Sequence, residues 1–158
     1  MKQHVAIGMF GGVTQRLVAE AQQGGGDVFE IARTCRKIKS GDTESWERAW
    51  LNLAERTEAD AKNSFRNGNL RTAMISYFHA NQYYRQSDVF LQEPDDKRKR
   101  FLKAQGCFRA GAELHPTPIE VIEIGRGDEI YDGYFCAPVD PAPGRWPVVF
   151  LIGGADAY

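Results

Sequence analysis

The sequence predicts an α/β chain in which a layer of amphipathic helices precedes the opening strands of a sheet. Three observations carry this reading. Apolar residues recur at three- and four-residue spacing from 27 to 114, and strand signals run from 117 to 152. Between them His115-Pro116-Thr117-Pro118 holds two prolines, which neither continue a helix nor join the middle of a ladder. The expected organisation is an N-terminal arm over 1–26, a helical cap-like domain over 27–114 and the start of a sheet-based core over 117–158.

The Gly24-Gly25-Gly26 break leaves Asp27 as an N-cap, and Val28, Ile31, Cys35 and Ile38 then form a helical stripe ending at Ser40-Gly41. Asp42 or Thr43 caps the next helix, with Trp46, Trp50, Leu53, Thr57, Ala61 and Phe65 on one face. Gly68 stops it and Asn69 starts another, which aligns Leu70, Ala73, Met74, Tyr77, Asn81 and Tyr84 and ends at Val89-Phe90-Leu91. Pro94 breaks that helix. Asp95 or Asp96 caps a fourth, with Phe101, Leu102, Gln105 and Phe108 at helical spacing.

After the prolines the period changes to that of strands. Residues 118–124 (PIEVIEI) and 129–138 (EIYDGYFCAP) read as a hairpin closed by Gly125-Arg126-Gly127-Asp128. A loop over 139–145 leads to Pro147–Ile152, an apolar run without a polar residue, which suits a strand buried on both faces.

The chain has 158 residues and a net charge of −1, so no global field favours nucleic acid or an anionic membrane. The basic run Lys97–Arg100 follows Glu93, Asp95 and Asp96 and reads as a solvated helix start. No apolar run approaches the roughly 18–20 residues that span a bilayer, and the N-terminus makes a poor signal peptide. Cys35, Cys107 and Cys136 are an odd, widely spaced set, which fits buried small hydrophobes in a reducing cytoplasm. His4, His79 and His115 share no metal-ligand spacing, and each reads as a surface or capping histidine. Arg126-Gly127-Asp128 reads as a turn, and Gly11-Gly12 as a flexible connection lacking the Lys and Ser/Thr of a phosphate loop.

Two stretches carry functional weight. Tyr77, Phe78, His79, Asn81, Tyr83, Tyr84 and Arg85 put aromatic or polar-aromatic groups on two faces of one helix. Either the helix packs on both sides, or one face lines a pocket for a flat ligand, with His79, Tyr83 and Tyr84 as candidates. The apolar run ends in Gly153-Gly154-Ala155-Asp156, where backbone amides without an obstructing Cβ can converge on a developing oxyanion.

The order of helical layer, antiparallel hairpin, apolar strand and Gly-Gly resembles the opening of an α/β-hydrolase. The resemblance is to the branch with an N-terminal helical domain, which includes 2,6-dihydroxypseudooxynicotine hydrolase, fungal pigment hydrolases that shorten polyketides and FrsA-like esterases. It is carried by residues 24–50, 68–91, 118–124, 131–138 and 147–157, most specifically by Gly41-Asp42-x-x-Ser45-Trp46 and Ala80-x-x-Tyr83-Tyr84-Arg85. The resemblance implies a serine hydrolase that cleaves a C–C or ester/acyl bond of a carbonyl-containing, aromatic-compatible small molecule. It further implies a homodimer, no cofactor, and Gly154 and Ala155 as oxyanion donors, ahead of Asp156.

The departure from that pattern is that no G-x-S-x-G nucleophile elbow occurs in residues 1–158, so the Ser-Asp-His triad is absent and the chain corresponds to an N-terminal fragment. The competing reading is a stand-alone, tetratricopeptide-like interaction module built on the same helices. An oxyanion hole has nothing to stabilise without an attacking serine. The 158-residue chain alone is therefore expected to show no serine-type hydrolysis, and turnover above background in an esterase assay would overturn that expectation.

Overall fold

The computed structural model describes residues 9–140 and 143–152. Five helices, α1 (Met9–Ala21), α2 (Val28–Cys35), α3 (Thr43–Arg66), α4 (Leu70–Asp88) and α5 (Pro94–Ala112), precede β1 (Ile119–Arg126) and β2 (Glu129–Cys136). Helix α4 packs between α3 and α5, with α1 and α2 laid against the same core. This is the helical layer followed by a hairpin that the period change at residue 115 predicts.

The helix starts follow local chemistry. Asp27 caps α2 by accepting from the Glu30 amide at 2.8 Å, and Asp42 caps α3 by accepting from the Ser45 amide at 2.9 Å. The Ser45 hydroxyl donates to the Asp42 carbonyl at 2.8 Å and accepts from the Lys39 amide at 2.9 Å. The Gly41-Asp42-x-x-Ser45-Trp46 motif is thus a folding device: it closes a turn, caps a helix and delivers Trp46 to the core.

That core is aromatic. Phe10 and Phe90 lie 4.9 and 5.3 Å from Trp46, Trp46 lies 5.8 Å from Trp50, and Trp50 lies 5.9 Å from Tyr83. The buried Trp46 indole donates to the Gln86 carbonyl at 2.8 Å, which ties α3 to the end of α4. Asn81 donates to the Ala104 carbonyl at 2.9 Å and links α4 to α5.

Several expectations are corrected. The segment expected as an arm contains α1, whose Phe10 and Leu17 are buried, and Gly11-Gly12 lies inside that helix. Burial of an apolar face compensates for the poor helix propensity of glycine. Helix α2 stops at Cys35, before Ser40. Phe65 and Leu70 are exposed at the ends of their stripes. Helix α5 begins at Pro94, which occupies the first turn, with Glu93 at the cap and Asp95 and Asp96 inside it. Proline is suited to that position because its missing N–H would have no intrahelical partner there. The face of α5 that packs carries Ala104, Cys107 and Gly111, while Leu102 points outward. Small residues prevail because Phe78 of α4 lies against this face: a Cβ at Gly111 would stand 3.0 Å from its ring. Cys35 and Cys107 are buried as expected, but Cys136 is exposed at the end of β2.

The hairpin pairs Ile119 with Cys136 and Arg126 with Glu129, leaving Gly127-Asp128 as a two-residue turn. Gly127 has φ +62, a left-handed value that such a turn demands at its first central residue. The third strand expected over 147–152 is not formed. The described sheet has two strands, and Phe150 and Leu151 are 83% and 94% exposed. Backbone N–H and C=O groups make a strand only where a neighbour completes the ladder, and among the described residues none pairs with this run.

One cluster braces the three long helices. Glu58 of α3 accepts from Lys62, and from the Tyr84 hydroxyl of α4 at 2.5 Å, while Lys103 of α5 approaches to 3.9 Å. Burial alone pushes the Glu58 carboxyl up, but hydrogen bonds from Lys62 and Tyr84 and the charge of Lys103 hold it below its ordinary 4.5. A carboxyl held lower in the folded than in the unfolded chain stabilises the fold above pH 4.5, and that contribution drains away as pH falls through the folded value. Urea midpoints measured from pH 7 down to about 3 should fall more steeply for the parent chain than for Glu58→Gln. Parallel curves would remove Glu58 as a source of acid sensitivity.

Candidate functional site

Helix α4 projects its two adjacent tyrosines toward different neighbours. Successive helical residues are about 100° apart, as 3.6 residues per turn requires, so Tyr83 reaches α2 and Tyr84 reaches α3. Tyr83 is fully buried, and its hydroxyl accepts from the Asp27 amide at 2.9 Å and donates to Glu30 Oε2 at 3.0 Å. Asp27 and Glu30 have capping-box spacing, in which the glutamate usually returns to the cap amide. Here Tyr83 supplies the acceptor for that amide, and the Glu30 carboxylate turns to Tyr83, with Arg56 at 3.5 Å. Gly26 gives it close room, since a Cβ there would stand 3.3 Å from the Tyr83 ring and hydroxyl.

Burial first, and then the partner carboxylates, raise both tyrosine pKa values well above the ordinary 10. Both phenols therefore stay protonated at physiological pH and serve as hydrogen-bonding groups, with no phenolate available as a base. Near Tyr84, burial pushes the Cys107 thiol up to about 12, so it is no thiolate nucleophile at neutral pH.

His79, one turn before Tyr83, is half-buried with its ring centroid 6.2 Å from the Tyr83 ring. Burial lowers its pKa below the ordinary 6.5, against the opposing pull of Glu30 and Asp27, so the imidazole is neutral at pH 7. A neutral, partly accessible imidazole can donate at one nitrogen and accept at the other.

The structure brings His79 and Tyr83 together but turns Tyr83 and Tyr84 into the core with their hydroxyls engaged. This is the double-sided packing that the aromatic run left open as one alternative. Gly154, Ala155 and Asp156 lie outside the described residues. Reasoning from sequence passed over Glu30 and Glu58, the carboxylates that anchor the two tyrosines. The Asp27-x-x-Glu30 spacing carried a signal for the first, whereas Glu58 on an apparently polar helix face carried none.

Among the described residues no group of three or more His, Cys, Asp or Glu side chains could hold a metal ion, and no helix is long and apolar enough to cross a membrane.

No protein-family model matches the chain. It is, however, similar to several curated fungal proteins. It is 31% identical over 153 residues to "Hydrolase ORFZ" of Pyricularia oryzae, covering 91% of this chain and 36% of that protein. It is 32% identical over 153 residues to "Alpha/beta hydrolase xenA" of Xenoacremonium sinensis, covering 94% of this chain and 36% of that one. It is 34% identical over 150 residues to "20-hydroxy-prefusarin hydrolase FUS2" of Gibberella moniliformis, covering 90% and 35%. These relatives are named as hydrolases, which gives no support to a helical interaction module.

The Tyr83 bridge generates a clear expectation. Tyr83→Phe keeps the ring against Trp50 but leaves the Asp27 amide and the Glu30 carboxylate without their shared partner, which costs about 1–3 kcal/mol. Chemical denaturation should show a lower midpoint with an unchanged slope; equal midpoints would mean that water replaces the hydroxyl. Helical layer, hairpin and sequence similarity agree: over nine-tenths of its length the chain is similar to fungal proteins named hydrolases or α/β hydrolases, and it spans just over a third of their length.

Proposed function

We propose that this chain is part of a serine hydrolase that cleaves a C–C or ester/acyl bond next to a carbonyl in a small, aromatic-compatible substrate. The reading is supported chiefly by similarity over nine-tenths of the chain to proteins named hydrolases or α/β hydrolases, one of them named 20-hydroxy-prefusarin hydrolase. In this proposal a serine outside these 158 residues attacks the carbonyl carbon, and negative charge collects on the carbonyl oxygen. The amides of Gly154 and Ala155, with Asp156 as the third candidate, donate to that oxygen. One such donor is typically worth about 2.7–4 kcal/mol of transition-state stabilisation.

The helical layer contributes shape. Of the three residues singled out for the substrate side, His79 has the accessibility to meet a ligand. Tyr83 and Tyr84 act behind it by fixing α4 against α2 and α3. The active protein is proposed to be cytoplasmic and homodimeric, and to use no cofactor.

The test is a fluorophosphonate probe applied to the complete protein that carries this chain. Covalent labelling that is blocked by prior heating supports serine chemistry. A folded complete protein that stays unlabelled, and that shows no activity on aryl esters, would remove it.

A further inference from the structure

The hydrogen bonds and ring contacts from the hairpin to α5 gather on two residues of β2. Asp132 Oδ2 accepts from Arg109 Nη2 at 2.6 Å and from Gln105 Nε2 at 3.3 Å, and the Tyr134 ring meets Phe108 edge-on at 4.6 Å. Gln105, Phe108 and Arg109 occupy one edge of α5 at three- and four-residue spacing, as a single helix face requires. The register explains why a cation belongs there. Asp132 stands directly across from Glu123, and Tyr134 across from Val121. Residues paired in this way project to the same face of the hairpin, and two like charges directly opposite are unfavourable. The hairpin therefore presents an acidic pair toward α5, and α5 answers with Arg109.

The grip is a yielding one. The Arg109 and Asp132 side chains are 38% and 41% exposed, so water and salt reach the pair, and such pairs are individually weak. The covalent connection is short and local: residues 115–118, in which the Thr117 amide donates to His115 Nδ1 at 3.1 Å.

We propose that Arg109, Gln105 and Phe108 with Asp132 and Tyr134 form a release latch that sets the angle between the helical layer and the hairpin. It is closed while Arg109 neutralises the Glu123–Asp132 pair. It opens when that charge is screened or removed, and the hairpin then turns on residues 115–118. Phe108 and Tyr134 give the closed state its geometry, because an edge-on ring pair fixes orientation as well as distance. The latch is independent of the hydrolase reading, since its signature is a distance between two elements and not an activity.

Pulsed electron paramagnetic resonance on the 158-residue chain tests it. Spin labels are placed at Asn52→Cys on the exposed side of α3 and at Asp128→Cys in the hairpin turn, with Cys136→Ser removing the exposed native thiol. At low salt the label-to-label distance should be single and narrow. At about 1 M salt, where the screening length falls to about 3 Å, it should broaden several-fold while circular dichroism shows the helices unchanged. Arg109→Gln should broaden it already at low salt, and the charge swap Arg109→Asp with Asp132→Arg should restore the narrow distance. A narrow distance that survives both Arg109→Gln and high salt overturns the latch. If Arg109→Gln fails to fold, the salt series on the parent latch decides alone.

Discussion

The buried hydroxyl of Tyr83 is the contact on which the arrangement of the helical layer depends. A buried amide or carboxylate that loses its partner costs more than an ordinary hydrogen bond gains, so the α2 start is stable only where a donor-acceptor group meets it. Tyr83 meets both at once, accepting from the Asp27 amide and donating to Glu30. Its ring extends the line of aromatic residues that begins at Phe10 and Phe90 and runs through Trp46 and Trp50. The same residue therefore closes the aromatic core and docks the N-terminal helices on α4.

Tyr84 performs the corresponding task on the other side through Glu58, within reach of lysines from α3 and α5. The two tyrosines show why an aromatic-rich helix need not be a ligand site. A tyrosine fills a core with its ring and satisfies a buried polar group with its hydroxyl, so a helix packed on both flanks can use two in succession. The motifs that carry the family resemblance in this layer, Gly41-Asp42-x-x-Ser45-Trp46 and Ala80-x-x-Tyr83-Tyr84-Arg85, are both spent on caps and core packing.

The sheet side of the chain has the opposite character. Ile124, Ile130 and Phe135 of the hairpin and Val148, Phe150 and Ile152 beyond it are exposed apolar side chains. Gly133 lets Ile122 and Ile124 close over β2, for a Cβ there would stand 3.1 Å from Ile122. The hairpin thus organises its own surface locally, while among the described residues the apolar run after residue 146 joins no ladder. Among the described residues the helical contacts close among themselves, and the strand signals of 147–152 do not.

What the sequence determined by itself was whatever depends on near neighbours. The cap at Asp27, a cap at Asp42 or Thr43, the stripe from Trp46 to Ala61, the change of period at His115 and a hairpin turn within Gly125–Asp128 were legible, whereas the narrowing of that turn to Gly127-Asp128 was not. Helical and strand periods, caps and tight turns are set within a few residues. Tertiary structure alone decided which apolar or polar group found a partner far along the chain. It drew the glycine-containing segment 9–21 into a helix through Phe10 and Leu17, and it chose Ala104, Cys107 and Gly111 over Leu102 as the buried face of α5. It assigned Tyr83 to Asp27 and Glu30, and it withheld strand structure from 147–152. Each outcome turns on a surface or a hydrogen-bonding group supplied from elsewhere in the chain, and no local pattern records that.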